Sequence, residues 1–194
     1  MKRRRWLWAG VIAGVLLLAA AILTRGMGFT SRATPSSIEA STMRAARAWA
    51  TPAAIRHRTN PVPASSDVLQ GAMEHWADHC ALCHDNDGTG RTALVKGFYP
   101  PVPDMRLAPT QEMTDGELFY VIERGIPLTG MPAWGNGTPD GERQTWALVR
   151  FIRHLPSLTD GEIAQMEKLN PKSPAQLEEE RKIEDFLRGK GGGS

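Results

Sequence analysis

The stretch HCALCHDNDGTG, residues 79–90, holds both cysteines of a 194-residue chain, Cys80 and Cys83, with His84 directly after the second. Two thiols three positions apart beside an imidazole, with no cysteine elsewhere, admit three chemistries. A structural zinc site wants four ligands, usually with a second pair of Cys or His at defined spacing. His57 and His154 stand isolated in the sequence, so that set is incomplete. A thioredoxin-like disulfide shares the Cys-x-x-Cys spacing but belongs in a βαβ context, and strand signals here are weak throughout.

The third chemistry is Cys-x-x-Cys-His, the attachment motif of c-type haem. One helical turn separates Cys80 from Cys83, which suits thioether bonds to the two vinyl groups. His84 then falls on the same side and would ligate iron from below. An electron carrier needs a second, soft and neutral donor. TGMPAWG, residues 129–135, supplies Met131, 47 residues after His84. Gly130 lets the backbone come close to the ring, Pro132 fixes the chain beyond it, and Trp134 is placed to stack on or beside the macrocycle. A lone methionine is ordinarily core filler, and Met105 and Met113 compete for the role. Met113 sits at the mouth of a helix, where its side chain is less free to reach iron. His75 and His79, on the attachment helix, read as surface or packing residues. The acidic loop after His84 has too few ligands at proper spacing for an EF-hand and reads as a glycine-rich turn.

Outward from this motif, the chain divides into four segments. Residues 1–25 are a candidate membrane anchor: Trp6 to Leu23 is an uncharged run of 18 residues, roughly 27 Å as a helix, close to the hydrocarbon thickness of a bilayer. Lys2, Arg3, Arg4 and Arg5 precede it and only Arg25 follows closely, so the positive-inside rule keeps the N-terminus in the cytoplasm and sends the rest across. A cleaved signal would need a shorter apolar run; Ala19-Ala20-Ala21 is small, but Ile22 and Leu23 continue the apolar stretch, which favours an uncleaved anchor. Without those four basic residues the chain has 19 basic against 21 acidic groups, so the basic balance comes from the extreme N-terminus. No clustered basic face suggests nucleic-acid binding.

Residues 26–64 form a connector with a short helix capped by Ser36 and Glu39, carrying Ile38, Ala45, Ala46 and Trp49 on one side and reading as a solvated spacer. Residues 65–156 are the compact domain. Ser66 is placed to cap a helix from Asp67 to about Cys80. A long loop follows, broken by Tyr99-Pro100-Pro101 and Pro103. Thr114 with Glu117 opens a helix ending at Gly125, and Thr138-Pro139 opens the last one. Residues 157–194 are a helical extension with capping boxes at Thr159/Glu162 and Ser173/Gln176, a Glu178–Lys182 pair, and a glycine-rich tail. The expected fold class is all-α: a small domain wrapped around a covalent haem, preceded by a single N-terminal transmembrane helix.

Cys80-Ala81-Leu82-Cys83-His84, the proline-rich loop, the helix DGELFYVIERGI (115–126) and Gly130-Met131-Pro132-Ala133-Trp134 together resemble the class I monohaem cytochromes c over roughly residues 66–156. The resemblance implies a first and a last helix crossing through a small residue and aromatics, here Gly71 or Ala72, Trp76, Trp146 and Val149. It implies a proline carbonyl, from Pro100 or Pro101, receiving a hydrogen bond from the proximal histidine. Asp85 departs from the pattern, since glycine commonly follows that histidine.

One haem c attached through Cys80 and Cys83, with His84 and Met131 on iron, leaves no open coordination position and suits one-electron transfer rather than substrate turnover. An apolar wall is expected from Tyr99, Leu118, Ile122, Ile126, Met131 and Trp134, and Arg106 is placed to pair with a haem propionate. The expectation is a single-pass carrier in the cytoplasmic membrane with its haem domain in the periplasm, exchanging electrons with redox proteins. The alternatives are a permanent haem subunit of a respiratory or dehydrogenase complex and, from a different class, a haem sensor.

Overall fold

A computed structural model describes residues 2–27, 30–172 and 174–188, and among them there are helices, turns and loops but no strand. The chain forms two units, residues 1–34 and 35–194. In the first, α1 (Lys2–Met27) contains a stretch, Arg4–Gly26, long and apolar enough to cross a membrane.

The second unit begins with α2 (Ser37–Ala50). Ser36 caps it by accepting from Glu39 N at 3.2 Å. The Glu39 carboxylate accepts from the Tyr99 hydroxyl of the proline-rich loop. Arg47 Nη1 donates to Met113 Sδ at 3.1 Å. The helix is therefore docked through its charged residues, while Ile38 and Trp49 are 77% and 87% exposed. The helix is solvated, with no buried residue, and these two side-chain bonds tie it to the rest of the unit.

The next turn, α3 (Ala53–Arg56), abuts a later helix. Asn60 Nδ2 donates to Trp146 O at 2.9 Å and Arg150 Nη2 to Val62 O at 2.8 Å. These bonds tie the end of the connector to the domain, which packs from Thr51 onward rather than from residue 65.

Ser65, not Ser66, caps α4 (Ser66–His75), accepting from Val68 N. The helix continues through a π turn, Trp76–Cys80, into α5 (Ala81–His84). The long loop holds one turn that no sequence signal marked, α6 (Ala108–Gln111). Both arms of the expected capping box are present at the start of α7 (Asp115–Arg124), and Gly125 ends it at φ 67°. Thr138 and Pro139 open α8 (Pro139–His154), which runs into a 3₁₀ turn, Leu155–Ser157.

α4 packs on α8 with Ala72, Met73, Trp76, Trp146 and Val149 all buried in one core. Gly71 is exposed and a Cβ there would meet nothing within 4 Å, so Ala72 is the small residue of the crossing. Phe119 stacks on Trp146 with ring centroids 4.3 Å apart, and Arg58 from the connector lies over both rings.

The core also reaches past residue 156. α9 (Asp160–Glu167) carries both arms of its capping box and sends Met166, 0% exposed, into the core. His154 Nε2 lies 2.8 Å from Glu162 Oε1. Only α10 (Pro174–Leu187) keeps the character expected of an appended element, its described side chains exposed and Lys182 bonded to Glu178 at 3.0 Å. Ser173 and the glycine-rich tail lie outside the described residues.

Candidate haem site

The π turn widens the helix up to and including the first cysteine: Ala81 N–H reaches back to Trp76 O. Such turns are rare and concentrate at functional sites. Asp85 then leaves the helix at φ 64°, ψ 161°, a region that only glycine enters without strain. That is the physical reason glycine suits this position. The chain doubles back at once, with Gly90 N donating to His84 O at 2.8 Å and Met105 N to Gly88 O at 2.8 Å.

His84 is held against the Trp76 ring, centroids 5.6 Å apart. Burial pushes its pKa down to about 4, so the imidazole is neutral and its nitrogen lone pair is free for a metal. Its Nδ1 is buried without a hydrogen-bond partner. A buried polar atom in that state calls for a missing partner group nearby. The Cys80 thiol is pushed up to about 12 by burial and then by Cys83; burial also raises Cys83.

The Met131 segment is fixed by a lattice of short-range bonds on the end of α7. Thr129 Oγ1 donates to Ile126 O at 2.8 Å and accepts from Met131 N at 3.1 Å, Ile126 N donates to Met131 O at 3.1 Å, and Trp134 N donates to Ile122 O at 3.0 Å. A Cβ on Gly125 would sit 2.7 Å from the Pro132–Ala133 backbone, and one on Gly130 would sit 2.5 Å from the Phe98 ring. Gly130 thus makes room for Phe98.

One narrow cleft is lined by Cys80 and His84 from the attachment segment, by Ile122, Met131 and Trp134, and by Leu148 and Ile152 of α8. An apolar cleft with a neutral buried imidazole, a cysteine and a thioether suits a haem. Met105 also lines the cleft, whereas the Met113 sulfur is engaged by Arg47.

The structure does not bring every expected residue there. Tyr99 is bonded to Glu39, Pro100 and Pro101 are exposed, and no proline carbonyl bonds His84 Nδ1. Arg106 Nη2 pairs with Asp104 at 2.8 Å, and Arg106 Nη1 lies 3.6 Å from Asp87; Arg106, Leu118 and Ile126 are absent from the lining. His75, expected as a surface or packing residue, lines the cleft; burial, followed by His79, lowers its pKa. His79 meets the Trp134 ring edge-on at 5.8 Å. Asn136, Gln144 and Thr145 complete the polar part of the lining, and no local sequence signal marked them.

A helical domain whose first and last helices cross beside a Cys-x-x-Cys-His segment, with a methionine loop on the same cleft, defines a class I c-type cytochrome domain. Residues 67–152 match the family model described as cytochrome C oxidase, cbb3-type, subunit III, and this segment is a c-type cytochrome domain. No curated protein matches the chain. A domain of this class carries haem c and transfers electrons; the protein is an electron carrier or a complex subunit rather than an enzyme.

Proposed function

We propose that the chain is a membrane-tethered, one-electron carrier holding a single haem c on Cys80 and Cys83, with His84 and Met131 as the two iron ligands. The observation that carries this reading is that Cys80, His84 and Met131 line one cleft, with the imidazole buried and neutral. When bound, the haem supplies a one-electron couple between low-spin ferric and ferrous iron. The protein's part is to exclude water, which Ile122, Leu148 and Ile152 do, and to present two neutral donors, a set that favours the ferrous state. The Thr129 and Ile126 bonds fix the Met131 backbone, so little rearrangement accompanies electron exchange. The charge pattern at α1 supports a cytoplasmic N-terminus, with the haem domain on the periplasmic side of the inner membrane.

The test is the intact mass and visible spectrum of the full chain matured in a periplasm. The expected result is one covalently retained haem with sharp low-spin bands. Pigment that acidified organic solvent strips from the chain would refute the proposal.

A second reading is favoured by the description of the matching family, which names an oxidase subunit. In that case the chain is a permanent haem subunit of a respiratory complex, with α2 and α10 as docking elements. Co-purification of partner subunits after mild detergent extraction separates the two readings.

A further inference from the structure

We infer that Asn170, 18 residues beyond the segment that matches the family model, is a positioning residue for the haem-attachment turn. The inference rests on the haem reading of Cys80, Cys83 and His84. It starts from the π turn. In a regular α-helix Ala81 N–H would bond Ala77 O; here it bonds Trp76 O instead. Ala77 is 0% exposed, so water does not replace that donor, and a buried carbonyl left without one is destabilising.

The Asn170 side chain supplies the donor. With its amide oriented to satisfy its neighbours, Nδ2 donates one hydrogen to Asn86 Oδ1 at 2.9 Å and shares the other between Ala77 O at 3.1 Å and Met166 O at 3.2 Å, while its oxygen accepts from Asn86 Nδ2 at 2.9 Å. Asn86 is 4% exposed and Asn170 is half-buried. Ala77 lies three residues before Cys80, and Asn86 lies two after His84. One amide from the C-terminal extension therefore holds both ends of the segment that carries both cysteines and the proximal histidine. The buried Met166 anchors α9, and with it Asn170, against the same core. The extension is a structural part of the haem site, which it braces from behind.

The consequence concerns iron. The attachment turn sets where the His84 ring stands and how much water reaches it, and both tune the potential of a bound haem. Loosening the turn admits water and favours the ferric state.

The test uses the full chain matured with haem, in wild-type form and as Asn170→Ala, Asn86→Ala, the double variant, and Glu162→Gln as a control on α9 that leaves Asn170 untouched. Asn170→Ser serves should the alanine variant fail to accumulate. Two quantities are measured: amide hydrogen exchange over residues 76–86 and the midpoint potential. The expected result is exchange at least tenfold faster over that segment and a lowered potential in the Asn170 variants, with neither change in Glu162→Gln. The double variant should shift the potential no further than Asn170→Ala, because Asn86 acts on the turn only through Asn170, whereas Asn86→Ala alone should shift it less, because the bond to Ala77 O remains. Exchange and potential in Asn170→Ala or Asn170→Ser that match Glu162→Gln would overturn the inference while leaving the haem reading intact. A colourless wild-type chain would overturn that reading and this inference with it.

Discussion

The indole Nε1 of Trp76 donates to the carbonyl oxygen of Asp85 at 2.9 Å, so the residue four before Cys80 is bonded to the residue directly after His84. Trp76 is 2% exposed and also packs on Phe151 of α8, ring centroids 5.1 Å apart. The core thus reaches the residue after His84 through the Trp76 side chain. Because Asp85 O is fixed from one side and Asp85 N–H bonds Ala81 O from the other, the backbone of Asp85 has no freedom to relax its positive φ.

Asp85→Gly is therefore expected to stabilise the protein. At φ 64°, ψ 161° a non-glycine residue carries a backbone cost of about 1–3 kcal/mol. Glycine removes it, at a loss of roughly 0.5–1 kcal/mol in chain entropy. The Asp85 carboxylate accepts from Asn86 N at 2.8 Å, and that part-buried bond is also lost. The balance is a gain of about 1 kcal/mol, seen as a melting temperature several degrees higher. Asp85→Ala keeps the backbone cost and loses the bond, so it should melt lower than wild type. An alanine variant more stable than the glycine variant would contradict this account.

Arg106 donates through Nε and Nη2 to Asp104 at 3.0 and 2.8 Å. The Arg106 hydrogen bond holds the Asp104 carboxyl below its ordinary range. A carboxylate depressed in the folded state lends stability above its unfolded pKa, near 4, and that stability is lost as pH falls through the folded value. The gap between wild type and Asp104→Asn should accordingly be open at pH 7, worth under about 1 kcal/mol for a pair this near the surface, and should close below about pH 4. Chemical denaturation across pH 2–7 measures it. Arg106→Gln is expected to leave the haem potential unchanged; a clear shift would put Arg106 beside a propionate after all.

What could be read in the sequence was what is written locally. Cys80, Cys83 and His84 are set by spacing alone. The caps at Ser36, Thr114, Thr138 and Thr159 depend on a hydroxyl and a backbone N–H three residues on, so their positions were visible without any tertiary information. Ser65 was missed by one residue because Ser66 offers the same hydroxyl. Met131 entered the cleft lining because glycine and proline flank it. Contacts between distant segments left no such trace. Nothing near Tyr99 announces that its hydroxyl goes to Glu39, 60 positions away. The sequence offers Arg106 as a propionate partner, whereas the folded chain pairs it with Asp104, two residues before it. The domain was cut at 65 and 156 because Pro and Ser look like linkers, whereas Met166 and the 51–62 strip are held by packing that only the folded chain reveals.

That strip supplies a third expectation. A Cβ on Gly116 would lie 1.9 Å from Ile55 O and 2.9 Å from Arg56 O. Both are backbone atoms of α3, so neither can swing away. Helix propensity alone makes alanine better than glycine inside α7 by about 1 kcal/mol, whereas the contact predicts the opposite sign. Gly116→Ala should destabilise by roughly 1–3 kcal/mol and expose the chain between Thr51 and Asn60 to protease. Thr114 Oγ1, which donates to Arg56 O at 2.8 Å, would lose its acceptor in the same event. Unchanged melting together with unchanged cleavage would mean that the connector does not rest on α7.

The identity of the second iron ligand is the sharpest remaining expectation, and three methionines separate it. The Met113 sulfur accepts from Arg47 outside the cleft, whereas Met105 and Met131 both line it. Met105 is 9% exposed and belongs to the apolar core, so Met105→Ala should cost roughly 2–5 kcal/mol as a cavity while leaving the low-spin spectrum in place. Met131 is half-buried on a loop whose backbone is already fixed by Thr129 and Ile126. Met131→Ala should change stability less, yet open a coordination position that the reduced protein fills rapidly with carbon monoxide, and lower the midpoint potential because a thioether no longer favours ferrous iron. Met113→Ala should do neither. Carbon monoxide uptake by Met105→Ala, with none by Met131→Ala, would move the ligand from the loop after α7 to the loop before α6.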